Sequence, residues 1–299
     1  MDWVLVAVTG AEDARLSEAA ENSVRAAGGV PGSWSGLSDA GPLHAGALRF
    51  SASGEGLAAL RATLEAAGPI DAAILPADRF GKKRLLISDM DSTIIGQECI
   101  DEIADAVGLK AKISEITERA MRGELDFEAA LTERVAMLKG LPLAALARTL
   151  EERITLNPGA RTLIATMKAH GAATLLVSGG FTYFTSRVAA LAGFESHQGN
   201  TLIDDGAALT GEVGQPILGR VAKRTALVEA VAALGATPED AIAMGDGAND
   251  LDMIRAAGLG VAYKAKPVVA AEAAGSIRHT DLTAALFFQG YKASEFVAG

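Results

Sequence analysis

Apolar positions in the first part of the chain follow two periodicities. Val4, Val6 and Val8 share one face of a predicted strand, and apolar residues at helical spacing predict a helix over 16–27. The same reasoning predicts three further elements, which are a strand over 47–51, a helix over 56–67 and a strand over 70–75. Together they indicate a small α+β domain over 1–80.

From residue 84 onward, short and continuously apolar segments alternate with helical patterns. Unalternating apolar runs are typical of strands buried on both faces, and they occur at 85–87, 173–177, 241–244 and 260–262. This order predicts an α/β domain over 81–299 with a doubly wound, mostly parallel, Rossmann-like sheet. Residues 94–155 interrupt it with charged helical patterns only, so we expect a helical cap over the carboxyl ends of the strands.

Composition and net charge restrict the partners and the cellular location that we expect. The chain has 299 residues, 49% of them hydrophobic, and its 27 Lys+Arg against 37 Asp+Glu give a net charge of −10. That charge disfavours nucleic acids and anionic membranes as partners. No apolar run approaches the roughly 18 residues of a membrane span. The single cysteine, Cys99, cannot form an intramolecular disulfide, so we expect a soluble cytoplasmic protein.

Two carboxylates follow the first strand of the larger domain. Asp89 and Asp91 are two positions apart, so in extended backbone they point to the same side. Such a pair can supply a nucleophile that attacks phosphorus and a neighbouring acid/base. The alternative is a pair of surface acids in a turn, which is common after a strand.

The second strand ends in Ser178, Gly179 and Gly180, where a hydroxyl and bare glycine amides can surround a phosphate. An ordinary glycine turn is the competing interpretation. Lys223 opens a later helix and is a candidate for the same phosphate oxygens, although lysines usually lie in solvent.

Asp246, Asn249 and Asp250 follow a third strand among glycines. Glycines let the backbone bend around an ion, and carboxylate oxygens suit Mg²⁺. The alternative is a turn followed by a helix cap. All these motifs fall near the carboxyl ends of predicted strands or at the start of a helix, where an α/β sheet binds its ligands.

Taken in order, these motifs make residues 84–299 resemble a phosphatase of the haloacid dehalogenase-like (HAD) superfamily. Three further segments resemble the lid of its phosphoserine phosphatases, and they are 98–102, 121–127 and Arg134. The later stretches 262–267 and 281–283 are also similar to that family.

The resemblance implies a Mg²⁺-dependent enzyme that hydrolyses O-phospho-L-serine through an aspartyl-phosphate, the last step of serine biosynthesis. It makes Asp89 the nucleophile and Asp91 the acid that protonates the leaving alcohol and then the base that activates water. We expect the like charge of three other aspartates and of the phosphate dianion to raise the pKa of Asp91 for this role when the substrate binds. Mg²⁺ would be held by Asp89, Asp246 and the Asp91 backbone carbonyl, with Asp250 in support.

The same resemblance implies a set of substrate-binding residues. Arg134 offers a planar fork for the α-carboxylate, and Glu98 an acceptor for the ammonium. Met121 and Phe127 would form an apolar wall that excludes water, although Phe127 also fits plain helix packing. The remaining contacts are expected from Ser178, Gly179, Gly180, Lys223 and Asn249.

Several points stay open at this stage. Residues 1–80 resemble an ACT-type regulatory domain only loosely, and 32–41 is predicted to be loop. Serine binding, homodimer formation and a purely structural role are equally compatible with that domain. The stretch 195–200 departs from the family pattern beside a predicted hairpin over 202–209, and we expect no effect on the chemistry.

The sequence is also compatible with a different role for Cys99 and with two other functions of the whole protein. Cys99 has no histidine near it in sequence, which favours a buried hydrophobe over a thiol nucleophile. A phosphotransferase of the same fold and a non-catalytic amino-acid sensor are the two competing functions.

Overall fold

The computed structural model describes residues 1–11, 15–38, 41–121 and 124–299, apart from the side chains of Glu55, Ala58, Glu118, Ala120 and Met121. The amino-terminal part contains four strands and two helices. They are β1 (Asp2–Thr9), α1 (Leu16–Ala26), β2 (Val30–Ser38), β3 (His44–Ser51), α2 (Leu57–Ala66) and β4 (Ile70–Pro76).

The rest of the chain alternates strands and helices, with five consecutive helices after its first strand. The first half comprises β5 (Leu85–Ser88), α3 (Cys99–Ala106), α4 (Lys110–Met121), α5 (Phe127–Ala136), α6 (Leu143–Arg153), α7 (Ala160–Ala169), β6 (Ala173–Phe181) and α8 (Thr182–Ala192). The second half comprises β7 (Ser196–Asn200), β8 (Leu202–Asp204), β9 (Leu209–Val213), α9 (Arg220–Ala233), β10 (Ala241–Gly245), α10 (Leu251–Ala256), β11 (Leu259–Tyr263), α11 (Pro267–Glu272), β12 (Gly275–Ile277) and α12 (Ala284–Phe287).

Ten of these strands form one sheet in the order β2-β3-β1-β4-β12-β11-β10-β5-β6-β7. The six from β12 to β7 are parallel, which confirms the predicted α/β sheet. The four amino-terminal strands pair antiparallel. Strands β8 and β9 form the predicted hairpin.

The prediction of a loop over 32–41 is wrong for most of its length. Residues 30–38 form strand β2 at the sheet edge, paired with β3 and irregular at Pro31/Trp34 and Gly36/Ser38. Their Gly and Ser content disfavours a strand locally. The hydrogen bonds to β3 outweigh that preference. β-bulges at the two irregular positions accommodate the residues that do not pair with β3.

The amino-terminal and parallel parts of the sheet join where β4 pairs antiparallel with β12. Beside this junction, the buried Asp71 carboxylate accepts hydrogen bonds from the backbone N–H groups of 278–280. Arg61 of α2 donates to the carbonyls of Ala270 and Ala273 at the end of α11, at 2.7 and 2.8 Å. These contacts hold the two parts of the chain together.

The amino-terminal strands are covered on both faces. One face packs on α1 and α2 through residues such as Leu5 and Leu60. The other face, with Val4 and Val6, belongs to the same core as Phe287 of α12. No helix that the structure describes combines the length and apolar character needed to cross a bilayer.

Candidate active site

The loop after β5 carries Asp89 and Asp91, both buried. The Asp89 N–H donates to the Met244 carbonyl of β10, which fixes the loop against the neighbouring strand. The chain then reverses tightly, because Ser92 adopts a left-handed φ of 54° and the N–H of Ile94 donates to the Met90 carbonyl. Both carboxylates are thereby held at the carboxyl end of the sheet, where the motif analysis predicts them.

The two oxygens of Asp89 have different surroundings. Oδ1 accepts hydrogen bonds from the Met90 N–H at 2.7 Å and contacts the Lys223 ammonium at 2.8 Å. Oδ2 accepts none from the residues that the structure describes. One oxygen is therefore held while the other is available to react.

Lys223, in the first turn of α9, lies behind Asp89 and is only 1% exposed. Its ammonium also contacts Asp250 at 2.6 Å, and the second Asp250 oxygen accepts the Gly247 N–H at 3.0 Å. Both oxygens of Asp250 are therefore engaged by neighbouring groups of the protein.

Asp91 is held at both oxygens. The Cys99 N–H, at the start of α3, donates to Oδ1 at 2.8 Å, and the Ser178 hydroxyl donates to Oδ2 at 3.0 Å. Ser178 Oγ in turn accepts the Gly180 N–H at 2.8 Å. A Cβ at position 180 would lie 2.9 Å from Asp91 Oδ2, so the close approach requires glycine there.

Electrostatics in this cluster favour a bound cation. Burial, followed by the charge of Asp250, raises the pKa of Asp89 and raises that of Asp246 to about 6. Oxygens of Asp89, Asp246 and Asp250 lie within 4.8 Å of one another. Crowded carboxylates of this kind are hard ligands that suit a divalent cation such as Mg²⁺.

The pKa of Asp91 is also raised, as the sequence analysis expects, but for another reason. Burial is the main cause, and the bonds from Cys99 and Ser178 act in the opposite direction. Repulsion by the three neighbouring aspartates, which is one part of the predicted cause, is not the main contribution. Burial also raises the pKa of the Cys99 thiol, so this cysteine stays protonated and is a buried hydrophobe.

Two charged residues of opposite sign line the outer part of the cavity. Glu98 accepts a hydrogen bond from the Ser92 hydroxyl at 2.7 Å, and enclosure of its carboxyl group, then the charge of Asp91, raise its pKa to about 7. Arg134 of α5 donates from Nε to the Ala130 carbonyl at 3.2 Å. Among the described side chains, no carboxylate lies within ion-pair distance of its guanidinium, so its terminal nitrogens can bind an anion.

These residues surround a cavity of about 370 Å³. Most of the predicted site residues line it, namely Asp89, Asp91, Glu98, Phe127, Arg134, Ser178, Gly179, Gly180, Asp246 and Asn249. Lys223 and Asp250 lie beneath its floor. Met121 ends α4, and its side chain lies outside the described part of the chain.

Phe127 begins α5, where the Asp126 carboxylate caps the helix by accepting the Ala129 N–H at 2.7 Å. Its side chain is 38% exposed, and Cζ is 3.1 Å from the point where a Gly179 side chain would start. It also lines a second, outer cavity beside α9. The ring therefore borders both cavities.

The lining residues that are not predicted as site residues include Asp101, Thr117 and Lys266. Asp101 and Thr117 look like ordinary polar positions of a helix. Lys266 precedes Pro267 at the start of α11, and its N–H donates to the Asp246 carbonyl at 3.2 Å. The only signal for Lys266 is its place in the 262–267 stretch.

Comparison with known proteins shows which family this chain matches. A family model described as haloacid dehalogenase-like hydrolase matches residues 86–255. A phosphoserine phosphatase of Albidiferax ferrireducens is 48% identical over 212 residues, which cover 69% of this chain and 90% of that protein.

Two solved structures are similar over nearly all of the chain. One is a HAD family hydrolase of Salmonella enterica subsp. enterica serovar Typhi, with TM-score 0.82, 32% identity, and coverage of 96% of this chain and 98% of that one. The other is a probable phosphoserine phosphatase from Vibrio cholerae, with TM-score 0.75, 29% identity, and coverage of 98% and 88%. Such coverage includes the amino-terminal strands as well as the parallel sheet.

Proposed function

Because the chain belongs to the haloacid dehalogenase-like hydrolase family, we propose that it hydrolyses O-phospho-L-serine to L-serine and phosphate. The observation that carries this proposal is that the two carboxylate oxygens of Asp89 differ in their hydrogen-bond partners. Its Oδ1 is held by Lys223 and the Met90 N–H, and its Oδ2 accepts no hydrogen bond from the described residues. A carboxylate oriented in this way is prepared to attack phosphorus.

In the first step, Asp89 attacks the phosphorus of the substrate. A bond forms from the aspartate oxygen to phosphorus, and the bond from phosphorus to the seryl oxygen breaks. Asp91 donates its proton to that leaving oxygen, and its raised pKa supports the protonated form that this step needs. A positioned acid of this kind contributes roughly 100- to 10,000-fold.

In the second step, water attacks the phosphorus of the aspartyl-phosphate on Asp89. Asp91, now ionised, accepts a proton from the water, the bond from phosphorus to Asp89 breaks, and phosphate leaves. Both aspartates return to their initial states. The alternation of Asp91 between acid and base needs a carboxylate whose orientation does not change, and the contacts from Cys99 and Ser178 support this.

The phosphoryl oxygens are bound by Ser178 and the Gly179 N–H, and the buried charge of Lys223 attracts them through Asp89. The predicted contact from the Gly180 N–H is not made, because that group donates to Ser178 Oγ. Mg²⁺ would be held by Asp89, Asp246 and the Asp91 backbone carbonyl, with Asp250 in support, and the three carboxylates within 4.8 Å of one another fit this ion. When bound, Mg²⁺ supplies positive charge that offsets the charge of the phosphoryl oxygens.

The amino acid part of the substrate lies against the inserted helices α3 to α6, which act as the cap. Arg134 binds the α-carboxylate and Glu98 the ammonium, with Asn249 as a further contact. Phe127 supplies the apolar wall that limits water. A cavity lined by both a guanidinium and a carboxylate suits a zwitterionic amino acid better than a simple alkyl phosphate.

Phosphate release from phosphoserine in the presence of Mg²⁺ tests the proposal. We expect turnover that depends on the metal, that is much weaker with glycerol phosphate, and that Asp89→Asn abolishes. Added alcohols should not compete with water as acceptors. Phosphate release from another ester but not from phosphoserine would refute the substrate assignment, and transfer to an added alcohol would favour a phosphotransferase.

A further inference from the structure

Asn200, the last residue of β7, joins two backbone segments that carry phosphoryl-binding groups of the proposed reaction. Its side chain is buried, with 2% exposure. Nδ2 donates to the Gly179 carbonyl at 2.8 Å and to the Leu218 carbonyl at 3.2 Å, and Oδ1 accepts the Leu218 N–H at 2.6 Å. Both ends of the amide are therefore used to hold backbone.

The first of these contacts determines the orientation of one peptide unit in the cavity wall. The Gly179 carbonyl and the Gly180 N–H belong to the same planar peptide. Asn200 holds the carbonyl end, and Ser178 Oγ accepts the N–H end at 2.8 Å. The peptide cannot rotate without breaking one of these bonds, and Ser178 is itself bonded to Asp91.

The other contacts act on the segment that leads to Lys223. Leu218 lies two positions before α9, and Gly219 accepts the Lys223 N–H at 3.4 Å in the first turn of that helix. By bonding both polar groups of Leu218, Asn200 sets the separation between the end of β6 and the start of α9. Glycines at 179 and 219 both border the Phe127 ring, so this separation also sets the place of the ring.

We propose that Asn200 is a positioning residue for phosphoryl binding. It acts through the Gly179 peptide and the start of α9 and does not touch the substrate, and the proposal rests on the proposed function of this site.

Two substitutions test it. Asn200→Asp keeps the shape but replaces the Nδ2 donor by an acceptor that faces two carbonyls. Asn200→Ala is neutral and has no side-chain donor, and therefore separates the loss of the donor from the added charge. The control is Gln289→Glu, the same amide-to-acid change at a residue with 1% exposure that bonds the Lys83 N–H and the Ala285 carbonyl away from the cavity.

The readouts are the inhibition constant of inorganic phosphate, KM and kcat for phosphoserine, and Tm. Both Asn200 variants are expected to weaken phosphate binding and to raise KM by about tenfold, the scale of one lost hydrogen bond to a bound group. Gln289→Glu should lower Tm to a similar extent while the phosphate constant changes less than about twofold.

Phosphate binding at the wild-type level in both Asn200 variants, with only Tm lowered, would overturn the proposal. Direct titration of the Mg²⁺-loaded protein with inorganic phosphate tests the role of Asn200 independently of the substrate assignment. If the wild-type protein binds phosphate but does not hydrolyse phosphoserine, the proposed function fails, and the comparison of phosphate affinities still decides the role of Asn200.

Discussion

Ser178 donates a hydrogen bond to the Asp91 carboxylate at 3.0 Å, although the two residues are 87 positions apart in the chain. The bond joins the loop after β5 to the end of β6. It leaves the carboxylate one orientation, since the Cys99 N–H holds the other oxygen. The proposed acid and the proposed phosphoryl-binding loop are therefore parts of one hydrogen-bonded unit.

Replacing the proposed acid should slow the reaction according to the leaving group. Asp91→Asn is expected to lower kcat/KM for phosphoserine, which reports the step in which the alcohol leaves, by roughly 100- to 10,000-fold, because an alkoxide leaves poorly without a proton. With p-nitrophenyl phosphate, whose leaving group needs no proton, the loss should be far smaller. Steady-state kinetics with both substrates measure the difference, and equal losses would contradict the role of Asp91.

Mg²⁺ should stabilise the protein more at high pH than at low pH. Burial raises the pKa of Asp246 to about 6, so in the metal-free protein this group's stabilising contribution is present below its ordinary value of 3.8 and is lost as the pH rises through about 6. The ion binds the ionised carboxylates. Thermal unfolding with Mg²⁺ or with EDTA should show a larger gain in Tm at pH 7.5 than at pH 5.

Asp246→Asn should reduce that gain, whereas Asp205→Asn, on the exposed hairpin, should leave it intact. An unchanged gain in Asp246→Asn would place the metal elsewhere.

Recognition of the substrate ammonium should depend on pH near neutrality. Although part of Glu98 is exposed, its pKa is raised to about 7, so it is protonated below that pH and ionised above it. We expect kcat/KM for phosphoserine to rise between about pH 6 and 8 more steeply than for 3-phosphooxypropanoate, which lacks the amine. In Glu98→Gln the two profiles should become parallel. Persistence of the difference in that variant would assign ammonium binding to another group.

Two neighbouring glycines should differ in their tolerance of a methyl group. In Gly180→Ala the new carbon would lie 2.9 Å from Asp91 Oδ2 and 3.0 Å from Ser178 Oγ, so the acid must move, and we expect a loss of kcat on the order of 100-fold. In Gly179→Ala the nearest atom, at 3.1 Å, is Cζ of Phe127, a ring that can turn aside. The loss of kcat in Gly179→Ala should stay below about tenfold. Similar losses in two equally stable variants would show that the acid can move without cost.

The contact between α2 and α11 should contribute measurably to stability. Arg61 donates to carbonyls at the end of α11, and burial lowers the pKa of its guanidinium. Arg61→Met should reduce the free energy of unfolding by about 2 kcal/mol, the scale of hydrogen bonds to a charged donor. Urea unfolding measures it, with the exposed Arg49→Met as control. Equal stability of the two variants would show that α11 is held by other contacts.

The parallel strands and the polar ends that follow them could be predicted because each is a local pattern. An uninterrupted apolar run such as 173–177 has to be buried, and the hydroxyl and glycines after it have to lie at the sheet edge. Adjacent parallel strands then bring Asp89, Ser178 and Asp246 into one cavity, as expected from their order along the chain.

The rest depends on contacts between distant residues. Strand β2 forms because β3 offers it hydrogen bonds, and the junction of β4 with β12 depends on Asp71 meeting the backbone of 278–280. How deeply a side chain is buried also depends on tertiary packing. Lys223 is recognisable as a cation from the sequence, but its buried position against Asp89 follows from the packing of α9.

The junction between β4 and β12 also bears on the order in which the chain folds during synthesis. Thr280 donates to Asp71 across 209 positions, so strands made early on the ribosome wait for residues made much later. Until then the edge of β4 and one apolar face of its sheet are open to other chains, which is the situation in which nascent proteins aggregate or need chaperones. Translation speed over the last quarter of the sequence therefore sets how long the growing chain is vulnerable.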